Sequence, residues 1–200
     1  MNSEFIELTQ SDPMRWDIKY SYDDNIVGRR IAGYYANKCL MTKVCYAALQ
    51  QVAQRFAKHN LSLLIWDAYR PAKAVDDFWR WAQDTHDNYT QRQYYPNLSK
   101  ADLFGQGYFN KTSNHCSGST VDLTLIDQQG QALDMGTIFD YMDPLSHSDN
   151  REASKEAITN RALLRQEMLN AGFEPIATEW WHFRLIDEPF LNQMFDFDIV

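Results

Sequence analysis

No run in this chain reaches the ~18 uncharged apolar residues that would carry a helix across a bilayer. The first twenty residues hold Glu4, Glu7, Asp12, Arg15, Asp17 and Lys19 and lack the apolar centre of a secretory leader, so a cytoplasmic protein is expected. Positive charge is in deficit as well. Nineteen Lys and Arg stand against 27 Asp and Glu, a net charge of −8, which argues against the basic surface that nucleic acid demands. Cysteine is limited to Cys39, Cys45 and Cys116, with no C-x-x-C pair, so neither a disulfide framework nor a cysteine zinc site is suggested. Only eight glycines and six prolines punctuate 200 residues, with no internal repeat and no low-complexity linker. One domain over residues 1–200 is expected.

What is present is apolar and aromatic: 44% hydrophobic and 14% aromatic residues, ample for one core. Between Leu40 and His59, the residues Val44, Ala47, Ala48, Val52 and Phe56 recur at helical spacing, and the predicted helix takes in Cys39 and Cys45. Leu61 to Trp66 is a short apolar run bounded by Asn60 and Asp67, read as a buried strand. Pro71 opens a second helix to about Thr85, with Ala74, Val75, Phe78, Trp79 and Ala82 inward; its missing N–H has no partner in a first turn anyway. Residues 86–112 show no period, and a segment that long is usually functional or hides short elements. Thr120 to Ile126 alternates, with Val121, Leu123 and Leu125 on one face and Asp122 and Thr124 on the other, and Asp127 to Gly130 turns toward a hairpin partner. Ser154 to Ala171 reads as a helix capped by Ser154 and stopped by Gly172, with Ile158, Ala162, Met168 and one of Leu163 or Leu164 inward. Phe173 to Ile186 supplies the last strands, broken at Pro175. The order predicts an α+β fold with a small antiparallel sheet packed by helices.

The chemistry is concentrated in two segments, Ser113-Asn114-His115-Cys116-Ser117-Gly118-Ser119-Thr120-Val121-Asp122 and Glu179-Trp180-Trp181-His182. A catalytic zinc site takes three protein ligands with a fourth position open, and a base within reach of a water. His115, Asp122 and His182 fit the ligand role and Glu179 the base. The bland alternative is a polar strand face, plus an aromatic strand whose Trp180, Trp181 and Phe183 are core. Residues three apart on a regular strand face opposite ways, which sets Glu179 against His182. Arg70, after the buried strand, is placed either to steady a developing oxyanion or to pair with Asp67. Cys116 lacks a third group to orient a Cys–His pair and reads as an inert thiol. His59 closes a helix, where a cation suits the dipole, His86 falls in a loop, and His147 is read at the surface, with approach to the site as the alternative if its loop folds over.

Trp66-Asp67-Ala68-Tyr69-Arg70-Pro71, Ser113-x-His115-x-x-Gly118-x-x-x-Asp122 and Glu179-Trp180-Trp181-His182 occur in that order, along with Ala74-Val75-Asp76, Tyr94-Tyr95-Pro96-Asn97, Asp134-Met135-Gly136-Thr137 and Phe195-Asp196-Phe197-Asp198. From about Asp17 onward the set resembles the D-alanyl-D-alanine dipeptidases, VanX-type zinc enzymes related to the zinc D,D-carboxypeptidases. The resemblance implies hydrolysis of D-Ala-D-Ala with one zinc ion per chain on His115, Asp122 and His182, Glu179 as general base and Arg70 as transition-state stabiliser. It further implies that Asp140 receives the substrate ammonium and that Ser113 and Tyr20 line the pocket. The rival enzyme reading is a zinc D,D-carboxypeptidase or other peptidoglycan peptidase acting on longer wall peptides; outside catalysis it is a metal-free binder of wall fragments. A homo-oligomer stays open.

Overall fold

In the computed structural model, which describes residues 3–200, the chain opens with strands β1 (Phe5–Glu7), β2 (Arg15–Trp16) and β3 (Leu40–Thr42), helix α1 (Lys43–Ala57), strand β4 (Ser62–Asp67) and helix α2 (Ala72–Gln83). Two short helices, α3 (Gln91–Tyr94) and α4 (Lys100–Gly105), lie within the segment that shows no period in sequence. Then come β5 (Thr120–Ile126), α5 (Lys155–Asn170), β6 (Phe173–Pro175) and β7 (His182–Leu185). The main sheet has the order β2-β4-β5-β7-β6, and β1 pairs with β3 in a separate ribbon. The expected α+β architecture is present; among the described residues the strand pairings are antiparallel except β2 with β4, a parallel pair at the edge.

Thr42 ends β3 and caps α1, its side chain accepting a hydrogen bond from Cys45 N, so the helix begins later than periodicity suggests. Leu40–Thr42 pair with Phe5–Glu7 instead, and Cys39 lies before that strand rather than in the helix. The buried stripe is consequently Cys45, Ala48, Leu49, Val52, Ala53 and Phe56, with Val44 and Ala47 turned out. On α2 it is Trp81 that is buried with Phe78, while Trp79 is half-buried against Phe104. Ser154 caps α5 as expected, but its buried row is Ala157, Arg161, Leu164 and Met168; Ile158 is half-buried and Ala162 exposed. The turn after β5 forms, yet its partner is a single bridge, Ile126 to Ala132, before the chain leaves the sheet.

β5 is buried over all seven residues, so its alternation separates two covered faces rather than core from water. The register of its neighbours decides the function. Between Ile65 and Asp67 the β4 pairing shifts: Ile65 stands opposite Leu123, but Asp67 stands opposite Asp122. One extra residue in a strand reverses the facing of the residues beyond it, and here it turns Asp67 onto the face of Asp122. On the other side Asp122 stands opposite His182. Three polar side chains thus form a row across the three central strands.

The last residues cross the back of this region as a strap. Phe195 N donates to Cys116 O (3.1 Å), Ala72 N donates to Phe195 O (2.9 Å), Phe197 stacks on Tyr69 with centroids 4.2 Å apart, and Ile199 bridges to Tyr34. Among the described residues no helix is long and apolar enough to cross a membrane.

Candidate functional site

His115 sits in a single 3-10 turn, Asn114–Ser117, whose first N–H groups need a cap; Ser113 Oγ accepts from His115 N. Gly118 ends the turn at φ +82°, and a Cβ there would lie 2.4 Å from the Phe5 ring, so the position demands glycine on both counts. His115 Nδ1 donates to Ala68 O (2.8 Å), which leaves Nε2 as the lone-pair nitrogen. That nitrogen lies 3.3 Å from Asp122 Oδ2 and 3.3 Å from His182 Nδ1, and His182 Nδ1 lies 3.0 Å from Asp122 Oδ1. At zinc–nitrogen lengths of about 2.0–2.1 Å, neighbouring ligand atoms of a tetrahedron stand about 3.3–3.4 Å apart. The contacts among buried His115, Asp122 and His182, which use both oxygens of Asp122, are close to that spacing, and the donor chemistry suits zinc.

Glu179 and His182 do meet, contrary to the strand argument. Residues 179–181 form a turn, with His182 N donating to Glu179 O, and β7 begins only at His182; Glu179 Oε2 then lies 3.7 Å from His182 Nδ1. Arg70 makes the pair with Asp67 and also lines the cavity. Its Nε and Nη2 hold Asp67 Oδ2 at 3.0 and 2.9 Å, its Nη2 lies 3.7 Å from Asp122, and its plane lies over Tyr20 and Phe78, 5.1 Å from each centroid. Tyr20 OH donates to Asp140 Oδ2 (2.9 Å), and Asp140, buried, holds a left-handed backbone at φ +59°. Tyr20, Arg70, Ser113, His115, Asp122, Asp140, Glu179 and His182 all line one cavity of about 340 Å³. Every sequence-derived site residue is therefore in one place.

Burial sets the electrostatics. It pushes the Glu179 carboxyl up to about 7, with Asp122 adding and His182 opposing. Burial and Asp122 likewise hold Asp140 well above the carboxylate range, against the hydrogen bond from Tyr20. Asp122 goes the other way: burial disfavours its charge, but His115 and then His182 overcome that and hold it below the usual value. Cys116 is buried, and burial pushes its thiol up to about 11, which leaves it the inert thiol expected.

The Peptidase M15 family model, described as D-Ala-D-Ala dipeptidase, matches residues 1–200. This chain belongs to that family. A D-alanyl-D-alanine dipeptidase of Streptomyces coelicolor is 43% identical over 187 residues, 93% of each chain, and one of Enterococcus faecalis is 41% identical over the same extent. One of Escherichia coli is 34% identical over 184 residues, 92% of this chain and 85% of its own. Among solved structures, the zinc complex of a VanY D,D-pentapeptidase from a VanB-type vancomycin-resistance cassette covers 78% of each chain at 15% identity and a TM-score of 0.45, a likeness too remote to argue from. The chain is accordingly an enzyme, a peptidase.

Sequence reasoning missed several residues of this M15 site. Asp67 appears there only as a partner for Arg70, yet it also lies 3.5 Å from His115 Nδ1 and accepts from Tyr34 OH (2.7 Å). Phe78 reads as core and in fact floors the cavity beneath Arg70. Tyr108 and Phe109, from the segment with no period, line the cavity, and no local signal marks them. His147, expected at the surface, is half-buried with Nε2 3.0 Å from Tyr108 OH.

Proposed function

We propose that this peptidase hydrolyses the free dipeptide D-Ala-D-Ala to two D-alanines in the cytoplasm, with residues 1–200 as one catalytic unit and one zinc ion on His115, Asp122 and His182. The observation that carries the reading is the convergence of three buried donor residues, His115, Asp122 and His182, whose ring nitrogens and two carboxylate oxygens make contacts of 3.0–3.3 Å, with Glu179 and Arg70 on one small cavity. The curated dipeptidases among its relatives support the substrate. When bound, a zinc ion supplies Lewis acidity, lowering the pKa of a water toward ~7 and polarising a carbonyl oxygen.

The chain's own residues do the rest. Glu179 takes a proton from the attacking water and returns one to the leaving amine; a carboxyl near 7 serves both transfers at neutral pH. Arg70, fixed by Asp67 on one edge and by two aromatic faces, donates to the oxygen that gains charge. Asp140, set by Tyr20, receives the substrate ammonium; a cation arriving there draws its carboxyl back to the ionised form, and the hydrogen bond is worth roughly 1.5–3 kcal/mol. A dipeptide with its amine acylated cannot make that contact.

The test is release of free D-alanine from D-Ala-D-Ala, with and without chelator, beside L-Ala-L-Ala and an N-acylated D-Ala-D-Ala peptide. Cleavage of the free D,D-dipeptide alone, lost on chelation and restored by zinc, is the expected result. Preference for the acylated peptide would make the protein a carboxypeptidase; no release from any of them, with zinc bound, would point to another substrate. Glu179→Gln should retain zinc and Tm while kcat falls by about 10²–10⁴. Near wild-type turnover would remove Glu179 from the role of base.

A further inference from the structure

The buried row of α5 is interrupted by a guanidinium. Arg161 is 5% exposed, between Ala157 and Leu164, and among the described residues it forms no ion pair. A buried charge that no carboxylate touches is costly, even with Asp134 near enough to favour it, and an apolar residue would continue the row at no such cost. The guanidinium is used on backbone carbonyls instead: Nε donates to Met135 O (2.6 Å), and Nη1 donates to Leu145 O (3.0 Å) and His147 O (3.3 Å). Its plane lies over Trp180, 5.7 Å from the ring centroid. Gly136, at φ +82°, passes so close that a Cβ there would lie 3.2 Å from Arg161 Nη2.

These contacts reach three walls of the cavity. The carbonyls of Met135 and Leu145 bracket the excursion that carries Asp140 and Met142 to the cavity. Trp180 adjoins Glu179, and its backbone N–H donates to Ser146 O (3.0 Å) while Ser148 N donates to Ala177 O (2.9 Å), so the Glu179 turn is bonded to that same excursion. His147, whose carbonyl Arg161 holds, reaches Tyr108 in the roof through its ring. No residue of α5 lines the cavity itself.

We propose that Arg161 is a positioning residue for catalysis, setting the walls that bear Asp140, Glu179 and Tyr108 relative to one another from a helix outside the site. The inference rests on the dipeptidase reading for its kinetic arm only. Wild type, Arg161→Met and Arg161→Lys would be compared for zinc content, for kcat and KM on D-Ala-D-Ala, and for amide hydrogen exchange. In folded, zinc-loaded R161M we expect exchange at 136–147 and 176–180 to quicken at least tenfold while β4 and β5 stay protected. We expect kcat/KM to fall tenfold or more, KM rising more than kcat falls, and R161K to recover part of the loss. Unchanged exchange overturns the proposal. So do wild-type kinetics in folded R161M, or a loss that vanishes once cooling has refolded the protein. If R161M does not fold, R161K carries the same measurements, and slower kinetics with quickened exchange are expected of it. If wild type releases no D-alanine, the dipeptidase reading fails and the exchange pattern alone decides for or against Arg161.

Discussion

Arg70 and Asp67 share a double contact in a region where neither meets much water: the Arg70 side chain is 12% exposed and Asp67 fully buried. Burial raises the Asp67 carboxyl, and Arg70 with His115 counters it. Removing one partner of such a pair costs about 3–5 kcal/mol because the other charge stays buried. We therefore expect Arg70→Ala to lose stability as well as at least about 10² in kcat. Adding Asp67→Asn, which still accepts from Tyr34, should restore most of the urea midpoint and none of the turnover. Full recovery of both would mean that Arg70 acts only by neutralising Asp67. The kinds of residue in this site are readable from sequence, where two imidazoles, two carboxylates and a guanidinium after a strand suggest metal-assisted hydrolysis, and the family resemblance assigns them roles. Their facing is not. Asp67 reaches the site through a one-residue shift at Trp66, and Glu179 through a turn in a segment whose aromatic composition reads as strand.

Elements place these side chains through their ends rather than their middles. The 3-10 turn bearing His115 closes at Gly118, against Phe5 of β1, a ring that also meets Tyr69, Phe195 and Phe197. Gly118→Ala strains the backbone and displaces that ring, at a combined cost of roughly 2–4 kcal/mol. Zinc affinity measured with a competing chelator should fall with it, and an unaltered affinity would uncouple the turn from the metal site. On α2, Asp77 holds Arg29 through two hydrogen bonds (2.8 and 2.9 Å) and Ala32 N (2.9 Å), anchoring the 19–34 loop that carries Tyr20. Burial disfavours the Asp77 charge, but Arg29 and Ala32 overcome it and hold the carboxyl below its usual value. A depressed native pKa contributes stability above the unfolded value of about 3.9, lost as pH falls through the lower native one. Asp77→Asn should thus lower the urea midpoint at pH 7, by an amount that shrinks below about pH 4. A constant difference across that range would assign the effect to packing. The three long helices are plain from period, whereas their register is not, and the short α3 and α4 leave no period to read. Thr42 delays α1 by three residues, and Arg161 occupies a core position that an apolar pattern cannot flag.

At the scale of the whole molecule, the end of β4 and the start of β7 both fall opposite Asp122 of β5, so that Asp67 and His182 flank it from the two neighbouring strands. The proposed ligands, drawn from turns and strands 67 residues apart in sequence (His115 and His182), exist as a set only in the folded chain. Zinc should therefore bind the native state far better than the unfolded one. At a free concentration one hundred times Kd this gives about 2.7 kcal/mol, a rise in Tm of roughly 5–11 °C for a chain of this length. His182→Ala should abolish the rise, and equal melting with zinc and with chelator would argue against a resident metal. The strap over Tyr34, Tyr69 and Cys116 has a consequence in time as well as in space. A ribosome adding about 5–20 residues per second needs roughly 8–33 s to go from Tyr34 to Ile199. For that interval the rings of Tyr34 and, once made, Tyr69 lack the cover that the strap gives them. Closure of the back of the cavity thereby waits until residues 195–199 have been made.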